Sequence, residues 1–207
     1  MSRRTPLSFI AARGLLGVGV LSAVLGIPLA IVQALTGQDL RRDFYTGFFS
    51  EANGIPGEVI PAAPGASFRW NGNAEVIIDD PTTRLALTNL APDILVVLAV
   101  GIAAWLLLFV VVDVQRAIPF EVNAARRLRI CSVVVLVTAL AHPMLSSWAD
   151  VAVYDAAAEA GGMMSGLGWK PDWLSVVPWL LPAALLAAFA RAFGEGRRLA
   201  DETAGLV

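Results

Sequence analysis

LAPDILVVLAVGIAAWLLLFVVV, residues 90–112, is the stretch that decides the fold: Asp93 stands at its mouth, and an apolar run then continues unbroken to Val112. Backbone amides and carbonyls find no water in hydrocarbon, so such a run can satisfy them there only as a helix. About 20 residues at ~1.5 Å each cover the ~30 Å of a bilayer's hydrocarbon, whereas a helix buried in a soluble core would stop nearer 13. Three more blocks have the same character, Leu15–Leu35, Ile130–Ala149 and Trp173–Phe193, with Arg191 their one fixed charge. Over 207 residues the chain is 57% hydrophobic and 15% charged, with mean hydropathy +0.69, outside the range of soluble domains. The expected fold is all-α and transmembrane: a four-helix membrane bundle forming one integral membrane domain over residues 1–207.

Arg3, Arg4 and Arg13 precede the first block, and Val32-Gln33-Ala34 resembles a small-residue cleavage site. A signal peptide's apolar core is only about 7–15 residues, however, so the first block is read as a retained span. Thr5-Pro6 stands where a twin-arginine signal wants an apolar residue, which argues against that alternative too.

Lys and Arg in short loops set orientation. The N-terminus, the loop 113–129 and the C-terminal tail 194–207, together with Arg191, hold ten of the 15 basic residues, while twelve of the 17 carboxylates fall on the other side. Both termini are therefore expected in the cytoplasm and the loop 36–89 outside it, in a multi-pass protein of the cell inner (cytoplasmic) membrane. Arg41 and Arg42, just after the first span, break the rule locally, with Asp39 and Asp43 on either side. Trp148, Trp169, Trp173 and Trp179 cluster at the outer ends of the last two spans, as an interfacial belt would.

Between helices 1 and 2 the pattern becomes that of strands. Phe68-Arg69-Trp70, Asn71-Gly72 and Ala74 to Ile78 spell a hairpin, because Asn-Gly tolerates the positive φ of a type I′ turn. Thr82 to Leu87 either adds a third strand, the favoured reading, or begins the second helix early; the strand reading gives a small extracytoplasmic β-hairpin or meander packed on the helix ends. Gly19-xxx-Ala23 with Gly26, and Ala183-xxx-Ala187 with Ala184-xxx-Ala188, place small residues on single faces and predict close helix packing within the bundle. Pro28, Pro143, Pro178 and Pro182 are expected to kink their helices.

The ionisable residue deepest in a span is His142, and Ser146 and Asp150 follow at i+4 and i+8, so the three form one polar stripe on the third helix. These are the ligand-binding candidates: His142 either lines an outward pocket or is a structural histidine bonded to Gln33 or to a carbonyl freed by Pro143. No carboxylate lies mid-span, which disfavours ion-coupled transport. No metalloprotease, phosphate-loop or activated-nucleophile motif occurs, so no catalytic residue, metal site or cofactor is expected. The single cysteine, Cys131, excludes a disulfide framework and paired-thiol redox chemistry.

Arg126, Arg127 and Arg129 open the third helix, with Asn123 as a candidate cap, and Arg197 and Arg198 follow the fourth; they are candidates for lipid headgroup or partner contact. Pro119-Phe120, Asn123, Arg127-Leu128-Arg129 and the later Glu195-Gly196-Arg197-Arg198-Leu199-Ala200-Asp201-Glu202 resemble motifs of the bacterial four-helix membrane proteins of the domain of unknown function 2975 family. Ile130-Cys131 stands where that family tends to have glycine. The resemblance implies no known activity, but it does imply a gene neighbour, a small cytoplasmic helix-turn-helix regulator. The expected function is a non-enzymatic sensing, anchoring or regulatory membrane protein. Its expected partners are membrane lipid and either that regulator or other membrane subunits, with no direct nucleic-acid contact. The alternatives are a subunit of a transport or export assembly and a membrane enzyme using the His142 stripe.

Overall fold

The structure is a computed structural model describing residues 7–36, 39–44, 59–63, 66–70, 74–115, 122–161 and 171–204. The elements run α1 (Leu7–Leu35), β1 (Leu40–Phe44), β2 (Val59–Ala63), β3 (Ala66–Trp70), β4 (Ala74–Ile78), α2 (Thr83–Gln115) and α3 (Val122–Gly161), then a 3-10 turn at Trp173–Val176 that leads into α4 (Val177–Ala204). Among the described residues, four helical segments are long and apolar enough to cross a membrane, as in a multi-pass membrane protein: Phe9–Leu35, Thr83–Gln115, Asn123–Ala157 and Trp173–Thr203.

All four helices overrun the expected spans. An apolar block measures hydrocarbon thickness, whereas the i to i−4 ladder continues wherever nothing breaks it. α3 therefore begins at Val122, which puts Asn123 inside its first turn rather than at the cap, and α4 carries the expected tail as helix to Ala204. Arg197–Asp201 (3.5 Å), Arg198–Glu195 (3.0 Å) and Arg198–Glu202 (3.3 Å) bridge successive turns of that segment.

The expected hairpin is present as β3 and β4, which pair from Ala66↔Ile78 to Trp70↔Ala74; the Asn71-Gly72 turn lies outside the described residues. The hairpin belongs to a four-stranded antiparallel sheet ordered β1-β4-β3-β2, larger than the expected element. The expected third strand at Thr82–Leu87 is instead the start of α2. Thr82 Oγ1 accepts the Leu85 amide at 3.3 Å and Thr82 O accepts the Ala86 amide at 3.0 Å, an N-cap that commits the chain to helix. Asp80, at φ 51°, makes the corner before it.

The chain divides into two compact units, one of Met1–Ile27, Ile94–His142 and Trp173–Val207, the other of Pro28–Asp93 and Pro143–Asp172. Within α1, α2 and α3 the division falls at or beside a proline: Pro28, Pro92 and Pro143. Pro178 lies in the first turn of α4, where a missing amide costs nothing.

In the first unit, a Cβ built on Gly101 comes within 2.4 Å of Ala23 Cβ, and one on Gly19 within 3.0 Å of Ala104 Cβ, so α1 meets α2 across the small-residue face read from the sequence. Gly26 has nothing within 4 Å and takes no part. On α4 one of the two alanine rows is used: Ala183 and Ala190 are buried, while Ala184 and Ala188 are exposed. Val110, Leu128 and Ala190, with Leu107, Leu186 and Phe193, join α2, α3 and α4. Ser132 Oγ donates to Ala183 O at 2.8 Å. Cys131 is fully buried, its thiol 3.9 Å from Ala103 O. Most large apolar side chains of α1, from Ile10 to Leu35, are exposed, as lipid contact requires.

In the second unit, Leu40 and Val76 from the sheet pack on Val153, Tyr154 and Ala157 of α3, with Ile78 and Leu85 beside them.

Candidate functional site

Side chains alternate along a strand, so Arg42 on β1 shares the face of buried Leu40 and lies opposite Val76 in register. That face is covered by α3, whose residues 146, 150, 153, 154 and 157 recur at helical spacing. The apolar members meet Leu40 and Val76, and the polar ones receive the guanidinium. Arg42 Nε donates to Asp150 Oδ1 at 2.5 Å, and Nη2 donates to Ser146 O at 3.0 Å. Nη1 donates to Asn89 Oδ1 at 2.6 Å and to Asn89 O at 3.4 Å, which brings in α2. All three nitrogens are thus engaged. The Arg42 side chain is 16% exposed and that of Asp150 41%. A guanidinium that gives four of its five N–H groups to a carboxylate, an amide oxygen and two carbonyls is fixed in place, and it braces β1, α2 and α3 rather than reacting.

Beside it lies a cleft of 660 Å³ lined by, among others, Gln33, Asp39, Arg41, Ala86 and Asn89. Gln33, Asp39 and Arg41 are exposed polar groups, and Ala30, Ala34, Leu40, Ala86 and Leu90 supply apolar lining. Such a mixture suits a small polar or zwitterionic molecule. Asn89 belongs to both features, lining the cleft and holding Arg42.

The expected stripe is distributed differently from its reading as one pocket. Asp150 is taken by Arg42, and Ser146 contributes its carbonyl to the same guanidinium. His142 is half-buried and assigned to the other unit, and among the described residues neither a hydrogen bond nor an ion pair reaches its ring. Among the described residues no group of three His, Cys, Asp or Glu is placed to hold a metal.

No family model, curated protein or solved structure matches the chain. Its site is therefore read from its own geometry.

The first unit holds a second polar cluster. Asp113 on α2 is buried, and the Arg127 guanidinium donates to its Oδ2. Arg127 Cζ stands 4.9 Å above the Phe109 ring, and Phe109 meets Trp105 edge-on at 5.1 Å between centroids. Arg127 is therefore engaged within the protein, while Arg126 and Arg129 are exposed. Arg197 and Arg198 are held by carboxylates of their own helix.

Sequence reasoning missed Arg42, Asn89 and Asp113. Arg42 had left a signal, an arginine that breaks the charge rule in the orientation expected from the sequence. Asp113 had left another, a carboxylate one residue beyond an apolar run and among arginines.

Proposed function

We propose that the chain is a non-enzymatic, multi-pass protein of the inner membrane that senses a small polar ligand at the 660 Å³ cleft and relays its occupancy to a cytoplasmic partner. The observation that carries this reading is the double role of Asn89, whose side chain borders the cleft and accepts from Arg42, itself bonded to α3. A ligand that takes an Asn89 hydrogen bond changes the hold on Arg42 and hence on β1 and α3. In this reading the sheet lies outside the membrane and both termini are cytoplasmic, as the ten basic residues on that side favour. The α4 segment to Ala204 then offers the docking end, and the resemblance in Arg127-Leu128-Arg129 and the tail makes a small helix-turn-helix regulator its expected partner.

Orientation is tested with single cysteines at Gly57, Gly166 and Arg126 in a Cys131→Ser background. An impermeant maleimide should label the first two in intact cells and spare the third, and an active alkaline phosphatase fused to the C-terminus would overturn the orientation. Coupling is tested by capture from mild detergent: deleting Asp201–Val207 should abolish recovery of the partner, and Asn89→Ala or Arg42→Gln should change its amount without altering insertion. Equal capture by all three variants would end the relay reading.

A further inference from the structure

Among the described residues of α3 and α4, Arg127, Arg197 and Arg198 have carboxylate partners, whereas Arg126, Arg129 and Arg191 have none. Two of these three meet in one place. Arg129 of α3 and Arg191 of α4 line a cleft of 580 Å³ in the first unit, together with Ala125, Ala190, Gly194 and Glu195. Among the described residues the carboxylate in its wall is Glu195, and it is already engaged, since its Oε1 accepts from Arg198 at 3.0 Å. The cleft therefore presents two guanidiniums whose charge is not neutralised at short range. The rest of its lining is small, Ala125, Ala190, Ala192 and Gly194, and a Cβ built on Gly194 would meet nothing within 4 Å, so no bulky side chain among them fills the 580 Å³.

Two planar forks facing one space match the oxygens of a phosphate, which accept paired N–H bonds. The neighbouring residues identify the source of that phosphate. Ile130 and Val133 follow Arg129 on α3, Leu185 and Phe189 precede Arg191 on α4, and all four are exposed apolar side chains on helices long enough to cross a bilayer. The arginines thus stand where apolar helix surface gives way to charge, the depth of lipid headgroups. We propose that the Arg129–Arg191 cleft binds the phosphodiester headgroup of an anionic phospholipid, with the acyl chains on the exposed apolar surfaces of α3 and α4. The site is separate from the ligand cleft near Asn89 and does not depend on the relay proposed above.

The test titrates the purified full chain in detergent with phosphatidylglycerol or phosphatidylcholine and counts bound lipid by native mass spectrometry. The wild type should retain phosphatidylglycerol preferentially. Arg129→Gln and Arg191→Gln should each weaken it roughly fivefold, and the pair about thirtyfold, at ~1 kcal/mol per arginine. Arg126→Gln, a likewise exposed charge that is not among the residues lining the cleft, should cost less than either. If the double glutamine variant does not fold, Arg129→Lys with Arg191→Lys keeps the charge and loses the fork, and it should still weaken the preference. Equal losses from Arg126→Gln and Arg129→Gln would overturn the site in favour of diffuse surface attraction. The site is likewise overturned if the two lipids bind alike, if the lysine pair retains the full preference, or if inorganic phosphate displaces the lipid and shows that the cleft takes soluble anions.

Discussion

The two arginine clamps differ in which partner is hidden. In the Arg42 clamp the guanidinium is the enclosed member, 16% exposed, and its carboxylate, Asp150, is 41% exposed. In the Arg127 clamp the carboxylate is enclosed, Asp113 at 11%, and the guanidinium at 26% leans on an aromatic ring. Water can replace a lost partner at Asp150 but hardly at Asp113. Similar ion pairs should therefore respond very differently to the same cut, because the cost of breaking a pair is set by the charge left behind.

The comparison is tested most severely at Arg127. Arg127→Ala strands a buried carboxylate and should lower stability by about 3–5 kcal/mol, read as the shift in thermal unfolding in detergent. Asp113→Asn in the same chain should recover most of that loss, and a double-mutant cycle measures the coupling. If Arg127→Ala costs no more than Arg42→Ala, burial of the carboxylate is not what separates the clamps.

A second cut asks whether the first unit tolerates errors of packing better than errors of charge. Gly101→Ala drives a methyl into Ala23 and should cost about 1–3 kcal/mol, while Gly26→Ala, with nothing within 4 Å, should stay within about 0.5 kcal/mol. Equal effects at the two glycines would mean that the α1–α2 seam is looser than the geometry shows.

Arg42→Ala should cost about 1–2 kcal/mol, less than Arg127→Ala although it breaks more hydrogen bonds, because hydrated acceptors remain. The smallest effect belongs to the α4 extension. Arg198→Ala removes two exposed pairs and should change unfolding by no more than about 0.5 kcal/mol, whatever it does to partner capture.

These features were unequally legible in the sequence. The four membrane-length helices and the β3–β4 hairpin were readable, because apolar runs and the Asn71-Gly72 pair act through local backbone physics. β1 was not. Leu40-Arg41-Arg42-Asp43-Phe44 carries three charges in five residues, and it is held as a strand by pairing with β4 and by acceptors distant in sequence. The Thr82 segment was misread because Thr-Thr-Arg-Leu-Ala-Leu alternates like a strand, and its decisive event is a side-chain cap. Asp150 was read as a ligand candidate on its helix stripe, whereas its carboxylate accepts from Arg42 of another element: periodicity tells which residues share a helix face, not what that face meets. Of the two alanine rows on α4, nothing in their spacing distinguished the buried one from the exposed one.

The prolines at the division between the units have a mechanical consequence. Each removes one amide from its helix, so the carbonyls of Val24, Thr88 and Ala139, four residues earlier, lose their regular intrahelical donor. A bend through an uninterrupted stretch must strain a complete ladder; here one rung is already missing, as it also is at Pro182 of α4, and bending stiffness is lowered at these points. The clamps lie to either side of them along the chain, Asp150 after Pro143 and Arg127 before it, and Asn89 before Pro92 with Asp113 after it. Thermal bending should therefore gather in a few residues around each proline while both arginine clusters keep their internal geometry, much as a jointed rod flexes at its pins and leaves its segments straight.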